Sequence, residues 1–180
     1  MRPERILLGT ALVVAFLAGC SDDAPGTGAG AGGTGTGTGV ASPTGEPVPD
    51  PCTLVTQDAV SAAVGAPVAD GLSELVSAPG FEGGRQCSFR TADNRGAFSV
   101  EVWPVTPELF ALDKEQSKRM GGNVEEAAGL GDSAFTVGYT ELHVLKGPFL
   151  VKLSLAQVSY DPDESRKHLD SLAKASVGQL

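Results

Sequence analysis

Residues 21–51 contain almost no side chains from which a hydrophobic core could be built. They include nine glycines, five prolines and five threonines, and their only sizeable apolar residues are Val40 and Val48. A segment of this composition buries too little apolar surface to offset the entropy lost when its backbone is ordered. We therefore expect a disordered linker here. One globular domain follows over residues 52–180, a length sufficient for a single core.

Upstream of the linker, residues 1–20 have the organisation of an export signal. Arginines at positions 2 and 5 precede an apolar run over residues 6–18, which is shorter than the ~20 residues that a membrane-spanning helix needs. The run leads into Leu-Ala-Gly-Cys, ending at Cys20, which resembles the lipobox of bacterial lipoproteins. The alternatives are a retained transmembrane helix and an exported chain in which this cysteine is coincidental.

The lipobox resemblance implies a processing route and an address. Residues 1–19 would be removed as a signal peptide, and Cys20 would receive a diacylglycerol and become the first residue of the mature chain. Two acyl chains hold a protein at a bilayer far better than one, because each buried CH₂ contributes about 0.8 kcal/mol. The expected location is the extracytoplasmic face of the cell membrane, with Cys20 and the linker over residues 20–51 tethering the domain.

The charge of the chain limits its partners. The net charge is −9, and residues 52–180 carry 17 acidic and 11 basic side chains. A nucleic-acid-binding domain needs a surplus of lysine and arginine to neutralise phosphates, so no nucleic-acid partner is expected. The expected partners are the membrane, through the anchor, and an envelope ligand or a protein.

Two cysteines, Cys52 and Cys87, remain in the domain once Cys20 is assigned to the anchor. An even pair in an oxidising compartment predicts a disulfide, with two free thiols as the alternative. The absence of C-x-x-C spacing argues against a redox-active pair. A bond closing a loop of about 35 residues would stabilise the fold by roughly 4 kcal/mol through chain entropy.

Helix and strand signals alternate along the domain. Helices are predicted to begin after three capping residues, Thr56, Thr106 and Asp161. Alternating apolar residues predict strands over residues 87–90, 98–103, 134–137, 141–145 and 149–157. Residues 71–84 have no steady period and end in a glycine pair, so we interpret them as a long loop.

Short turns join most of these strands, which favours antiparallel pairing. An amphipathic sheet must bury its apolar face against other elements. The predicted fold class is therefore α+β. We expect a two-layer domain with a mostly antiparallel sheet of about five strands and about three helices on one face.

Three local patterns occur in order along this domain. They are Asp-Pro-Cys-Thr-Leu-Val at residues 50–55, Cys-Ser-Phe at 87–89 and Gly-Leu-Gly-Asp-Ser-Ala-Phe at 129–135. Following a lipobox and a spacer, the set resembles the actinobacterial lipoprotein family of unknown function designated DUF3558, although Phe89 stands where many members have tryptophan. The resemblance implies a disulfide between Cys52 and Cys87 and an extracytoplasmic address. It implies no activity.

Candidates for chemistry are few. His143 and His168 have neither HxH nor HExxH spacing, so no metal is expected, and both are predicted to be solvated on a strand and a helix face. Ser133, His143 and Asp132 could in principle form a triad, but the chain has no GxSxG segment. We expect no catalytic residues, no cofactor and no enzymatic activity.

Three residues are candidates for binding: Phe81, Trp103 and Asp132. Asp132 follows a glycine turn and either borders a ligand groove or completes the turn before a strand. Trp103 is predicted on the face opposite Phe98 and Val100. It is either exposed, as an aromatic contact for a partner, or covered by residues 71–84 together with Phe81.

Two functions are compatible with these features. The expected one is a non-catalytic binding or accessory module for a cell-envelope ligand or a protein partner. The alternative is a sensor or a carrier of a lipid or small molecule with an apolar cavity, and an envelope hydrolase is a distant third. A cavity larger than about 300 Å³ between sheet and helices would favour the sensor or carrier, and a filled core with an exposed aromatic patch would favour the accessory module.

Overall fold

A computed structural model describes residues 45–94, 96–156 and 161–180. The predicted signal peptide, Cys20 and the linker as far as residue 44 lie outside the described residues, as does Gln157 at the predicted end of the last strand. Within the described ranges the chain forms four helices and seven strands. These are α1 Pro51–Leu54, α2 Gln57–Val64, β1 Leu72–Ala78, β2 Phe81–Arg90, β3 Ala97–Pro104, α3 Pro107–Arg119, β4 Val124–Glu126, β5 Ser133–Val137, β6 Glu141–Lys146, β7 Phe149–Ala156 and α4 Pro162–Val177.

The strands form one antiparallel sheet in the order β1-β2-β3-β7-β6-β5-β4. Two meanders, β1 to β3 and β4 to β7, meet where β3 pairs with β7. The predicted α+β class with a mostly antiparallel sheet agrees with this arrangement. The predicted number of about five strands is wrong, because the sheet has seven.

The two missed strands are β1 and β4. Residues 71–84 are not a loop, because β1 and the first residues of β2 form a hairpin there. β1 lies at the edge of the sheet and exposes most of its side chains, so it lacks the alternating apolar pattern that identifies a half-buried strand. β4 is only three residues long, too short for a periodic signal.

One face of the sheet carries the main core. Phe98 and Val100 of β3 lie on this face with Leu153 of β7, and helices α2 and α4 cover them. α2 contributes Val60 and Val64, and α4 contributes Leu169, Leu172 and Ala173. Full burial of a side chain of this size contributes about 1.5–3 kcal/mol, so this layer supplies much of the driving force for folding.

The disulfide prediction is confirmed. Cys52 of α1 is bonded to Cys87 of β2, with 5.1 Å between their Cα atoms. Asp50 caps α1 by accepting a hydrogen bond from the Cys52 backbone amide. Just upstream, Val48 is buried against Leu54, so the packed part of the chain begins before the predicted boundary at residue 52.

The helices do not all lie on one face, contrary to the prediction. α3 covers the opposite face, where Phe110 packs against Phe135 with 5.2 Å between ring centroids. The reason lies in β5 and β6, which bury residues on both faces: Ala134 and Val144 on one, Phe135 and Leu145 on the other. Strands buried on both faces need a covering element on each.

We expect the disulfide to stabilise the fold by about 4 kcal/mol, because it restricts a loop of some 35 residues in the unfolded chain. The test is urea unfolding of the wild type and of a Cys52→Ala/Cys87→Ala double variant, each with and without a reductant. Reductant should bring the wild type down to the stability of the double variant and leave the double variant unchanged. Equal unfolding midpoints for the oxidised wild type and the double variant would contradict the expectation.

Candidate functional site

The second face of the sheet is only partly covered, and the uncovered part forms a cleft. α3 lies over one end of this face, and the β1–β2 hairpin rises at the other. Between them is a space of about 460 Å³. Its floor consists of residues from β3, β6 and β7, one wall is α3 and the facing wall is the hairpin.

An aromatic pair, Phe81 of the hairpin and Trp103 of β3, forms the aromatic wall of the cleft where the hairpin meets the floor. Phe81 meets Trp103 edge to face, with 5.8 Å between ring centroids, and Trp103 is only 5% exposed. Gly84 of β2 makes room for the indole, because a Cβ atom at this position would lie 2.3 Å from the ring. The Trp103 Nε1–H group donates a hydrogen bond of 2.8 Å to Oε2 of Glu101.

Of the two alternatives for Trp103, covering by residues 71–84 together with Phe81 is confirmed. The covering segment is a β-hairpin rather than a loop, and the glycine pair that suggested a loop includes Gly84, which seats the indole. Phe81 is half-buried, and both aromatic residues line the cleft. The sequence therefore placed Phe81 over Trp103 as the structure does, but it misassigned the secondary structure of the covering segment.

The floor of the cleft is a row of side chains that runs across the sheet. Glu101 of β3 pairs with Lys152 of β7, Lys152 with His143 of β6, and His143 with Phe135 of β5. Residues directly opposite each other in an antiparallel sheet point to the same face. The register therefore places two charged residues and a histidine side by side beneath the cleft.

His143 is 1% exposed, and the expectation that it is solvated is wrong. Its Nδ1 atom lies 2.6 Å from Oδ2 of Asp113, and its Nε2 atom lies 3.4 Å from Oε2 of Glu141. The ring also packs on Phe135, with 4.6 Å between centroids. Burial follows from α3, which covers this end of the face and brings Asp113 to the imidazole.

The sequence patterns do not single out Asp113, although a signal for it exists. Asp113 follows Leu109 by four residues and Phe110 by three, spacings that share one face of a helix. Because Phe110 faces the sheet, Asp113 had to face it too, and Ser117 continues the same stripe one turn later. What the sequence could not supply is which face of the sheet α3 covers.

The environment of His143 has opposing effects on its pKa. Burial lowers the pKa, but the hydrogen bonds with Asp113 and Glu141 and the charge of Asp113 outweigh it and raise the pKa above the ordinary value. The same contact with His143 lowers the pKa of Glu141, assisted by the charge of Lys152. The imidazole and the Glu141 carboxylate thus stabilise each other's charged forms.

The contacts of His143 also bear on the hypothetical triad. A general base needs a ring nitrogen within reach of the substrate proton, whereas both nitrogens of His143 face carboxylates. The hypothetical triad is not assembled either. Asp132 accepts a hydrogen bond of 2.7 Å from the Gly147 backbone amide rather than contacting His143.

Asp132 instead completes a turn. Gly129 and Gly131 both have positive φ, at 79° and 55°, and the Asp132 carboxylate joins this turn to the one between β6 and β7. Its contacts therefore match the structural interpretation, and it is not among the residues that line the cleft. The second histidine, His168, is half-buried on α4, which packs on the other face of the sheet.

The described ranges give no support for a metal site or for a membrane-spanning helix. Among the residues that the structure describes, no group of three or more His, Cys, Asp or Glu side chains could hold a metal ion. None of the helices within 45–94, 96–156 and 161–180 is long and apolar enough to cross a membrane. Of the sequence-predicted binding residues, the cleft brings together Phe81 and Trp103.

The raised pKa of His143 predicts a pH-dependent contribution to stability. Protonation is more favourable in the folded chain, so this contribution is fully present below the unfolded-state pKa of about 6.5 and is lost as the pH rises through the higher folded-state value. Asp113→Asn should weaken this dependence, lower the pKa of His143 and cost about 1–3 kcal/mol at pH 6, because it removes the charge partner.

Urea unfolding over pH 5–9, with an NMR titration of the His143 ring, measures both effects. Glu115→Gln is the matched control, because Glu115 is exposed on the same helix and pairs with Lys118 rather than His143. Parallel stability profiles for the wild type and Asp113→Asn would contradict the assignment.

Comparison with known proteins places the chain in a family. No curated protein and no solved structure matches it. The family model described as "Protein of unknown function (DUF3558)" matches residues 15–138, a range that includes both disulfide cysteines, Trp103 and all of α3. The resemblance found in the sequence is therefore confirmed, and the chain belongs to the DUF3558 family.

Proposed function

We propose that this protein is an extracytoplasmic binding module, tethered to the cell membrane through lipid on Cys20, that binds a small molecule in the cleft beside α3. The observation that carries the proposal is the cleft itself. Its volume of about 460 Å³ lies within the range of small-molecule sites, about 300–1,000 Å³, and so favours a sensor or carrier of a small molecule over a surface interaction module.

The composition of the cleft also suits a ligand. Small-molecule sites combine apolar walls with a few converging polar groups that fix orientation. Here Phe81 and Trp103 supply the wall, and Glu101, His143 and Lys152 supply the polar floor. Since most of Trp103 is buried, the aromatic residues offer little of the exposed patch that docking a protein partner would require.

The described residues favour binding over turnover. Catalysis by nucleophile and base requires a nucleophile within hydrogen-bond reach of the base, but His143 is committed to Asp113 and Glu141. The contact with Asp113 sets the orientation of the His143 ring, which can position neighbouring groups. The floor of the cleft therefore resembles a preorganised binding surface.

The proposed anchor rests on residues 1–20. Cys20→Ala should leave an uncut precursor without acyl mass or release the chain from the membrane, because no thiol remains to carry the diacylglycerol. Membrane fractionation and intact-mass measurement on the full chain test this together, with Cys20→Ser as a second variant of the same kind. Normal acylation of either variant would rule out the assignment.

The proposed ligand site predicts a co-purifying molecule. The full chain, extracted from its native cells in mild detergent, should carry an additional small mass in native mass spectrometry. Gln116→Phe should reduce the fraction of the chain that carries that mass, because Gln116 lines the cleft from α3 and a bulkier ring would take up part of the space. Leu112→Phe is the matched control, since Leu112 is 62% exposed on the same helix and is not part of the lining.

Two results would count against the proposed site. If the wild type carries no additional mass, the proposal of a resident small-molecule ligand fails. If Gln116→Phe retains the mass as fully as Leu112→Phe, the molecule binds elsewhere on the chain.

A further inference from the structure

We propose that the cleft selects an amphipathic organic cation, with the ligand's ammonium group against Glu101 and Glu141 and its apolar part against Phe81 and Met120. This inference rests on the proposed function and adds to it the chemical class of the ligand. It is carried by the balance of charges in the cleft, by the contacts that each charge already makes and by the chemistry of the walls.

The cleft contains more acidic than basic groups. Glu101, Asp113 and Glu141 line it, against Lys152 and His143. The lining is therefore net negative even when the imidazole is protonated, and more so when it is neutral. A cationic ligand would complement this field, whereas an anion would have to approach three carboxylates.

Both basic groups already have carboxylate neighbours. Lys152 Nζ lies 3.9 Å from Oε2 of Glu141, and His143 Nδ1 lies 2.6 Å from Oδ2 of Asp113. An anionic ligand that paired with either cation would lie close to these carboxylates and would be repelled by them.

Glu101 differs from the other carboxylates of the cleft. Within the described part of the chain its side chain accepts one hydrogen bond, from Trp103, and forms no ion pair. Its register partner is Lys152, but the ammonium group of Lys152 reaches Glu141 instead. Glu101 is half-buried at the foot of the aromatic wall, so it retains capacity for a donor that arrives with a ligand.

The walls favour an organic ligand over a bare ion. Phe81, Met120 and Pro79 line the cleft beside these carboxylates, and Met120 is 74% exposed. Aromatic rings and thioethers attract organic cations and apolar groups. Among the described residues no three acidic, histidine or cysteine side chains are placed to ligate a metal, and carboxylates beside apolar surface complement an ammonium group carried on an apolar body.

A set of three probes with one apolar body tests the inference. 2-Phenylethylamine is cationic, 2-phenylethanol is neutral and 3-phenylpropionate is anionic. Trp103 is the single tryptophan of the chain, so its fluorescence reports on the cleft. The amine should give a saturable change with a Kd about tenfold lower than either other probe, since a hydrogen-bonded charge contributes about that factor.

The Glu101→Gln variant assigns the effect to a residue. Glutamine keeps an oxygen that can accept the Trp103 hydrogen bond, so the fold should persist while the affinity for the amine falls about tenfold. Affinity for the alcohol should not change. Asp58→Asn is the control, because it removes one exposed negative charge from α2 on the other face of the sheet.

Each outcome has a defined meaning. Equal or tighter binding of the alcohol or the propionate overturns the cationic ligand class while leaving a small-molecule cleft intact. A lack of saturable response to the amine also overturns it, and the co-purification experiment decides the proposed function separately. An equal loss of amine affinity in Asp58→Asn would show that net charge, rather than Glu101, attracts the ligand, and would overturn the assigned site.

Discussion

The pairing of β3 with β7 determines both the sheet and the cleft. Eight successive residue pairs, from Ala97 with Ala156 to Pro104 with Phe149, join the two meanders into one sheet. The same register sets Glu101 opposite Lys152 and Val100 opposite Leu153. A shift of one residue would exchange the two faces of a strand, moving charged groups into the main core and apolar groups into the floor of the cleft.

Partial covering of the second face by α3 creates two environments on one surface. Where α3 covers the sheet, Phe110 and Phe135 pack together and His143 is buried. Where it does not, Glu101 and Lys152 are half-buried and line the cleft. An ion pair buried at such a boundary is weak evidence for stability, because desolvation offsets much of the attraction. We therefore interpret the contact between His143 and Asp113 as one that positions the side chains in the floor of the cleft.

The sequence predicted elements whose signals are local. The caps at Thr56, Thr106 and Asp161, the alternation in β7 and the pairing of Cys52 with Cys87 all appear in the structure. Each depends on neighbouring residues or on a small number of cysteines. The N-terminal anchor is equally local in the sequence, but Cys20 lies outside the described residues and the anchor stays a prediction.

What the sequence could not predict depends on tertiary packing. β1 is an edge strand with exposed side chains, so no alternation identifies it. The burial of His143 depends on which face α3 covers, a choice made between elements distant in the chain. The cleft depends on both features. One wall is the β1–β2 hairpin, which the sequence did not predict, and the other is α3, which was predicted on the opposite face of the sheet. Trp103 was recognisable as a candidate because the strand alternation places it opposite Phe98 and Val100, and Phe81 because it lies in the segment that could cover it.

Selectivity in a site of this kind has to arise at short range. The net charge of −9 attracts every cation, and salt screens that attraction beyond about 8 Å at physiological ionic strength. It can therefore raise the local concentration of a cationic ligand but cannot distinguish an organic ammonium from an inorganic ion. That distinction requires a carboxylate held beside apolar surface. In this chain the hydrogen bond from Trp103 holds Glu101 against the aromatic wall, which makes the contact between these two residues the structural basis of any such preference.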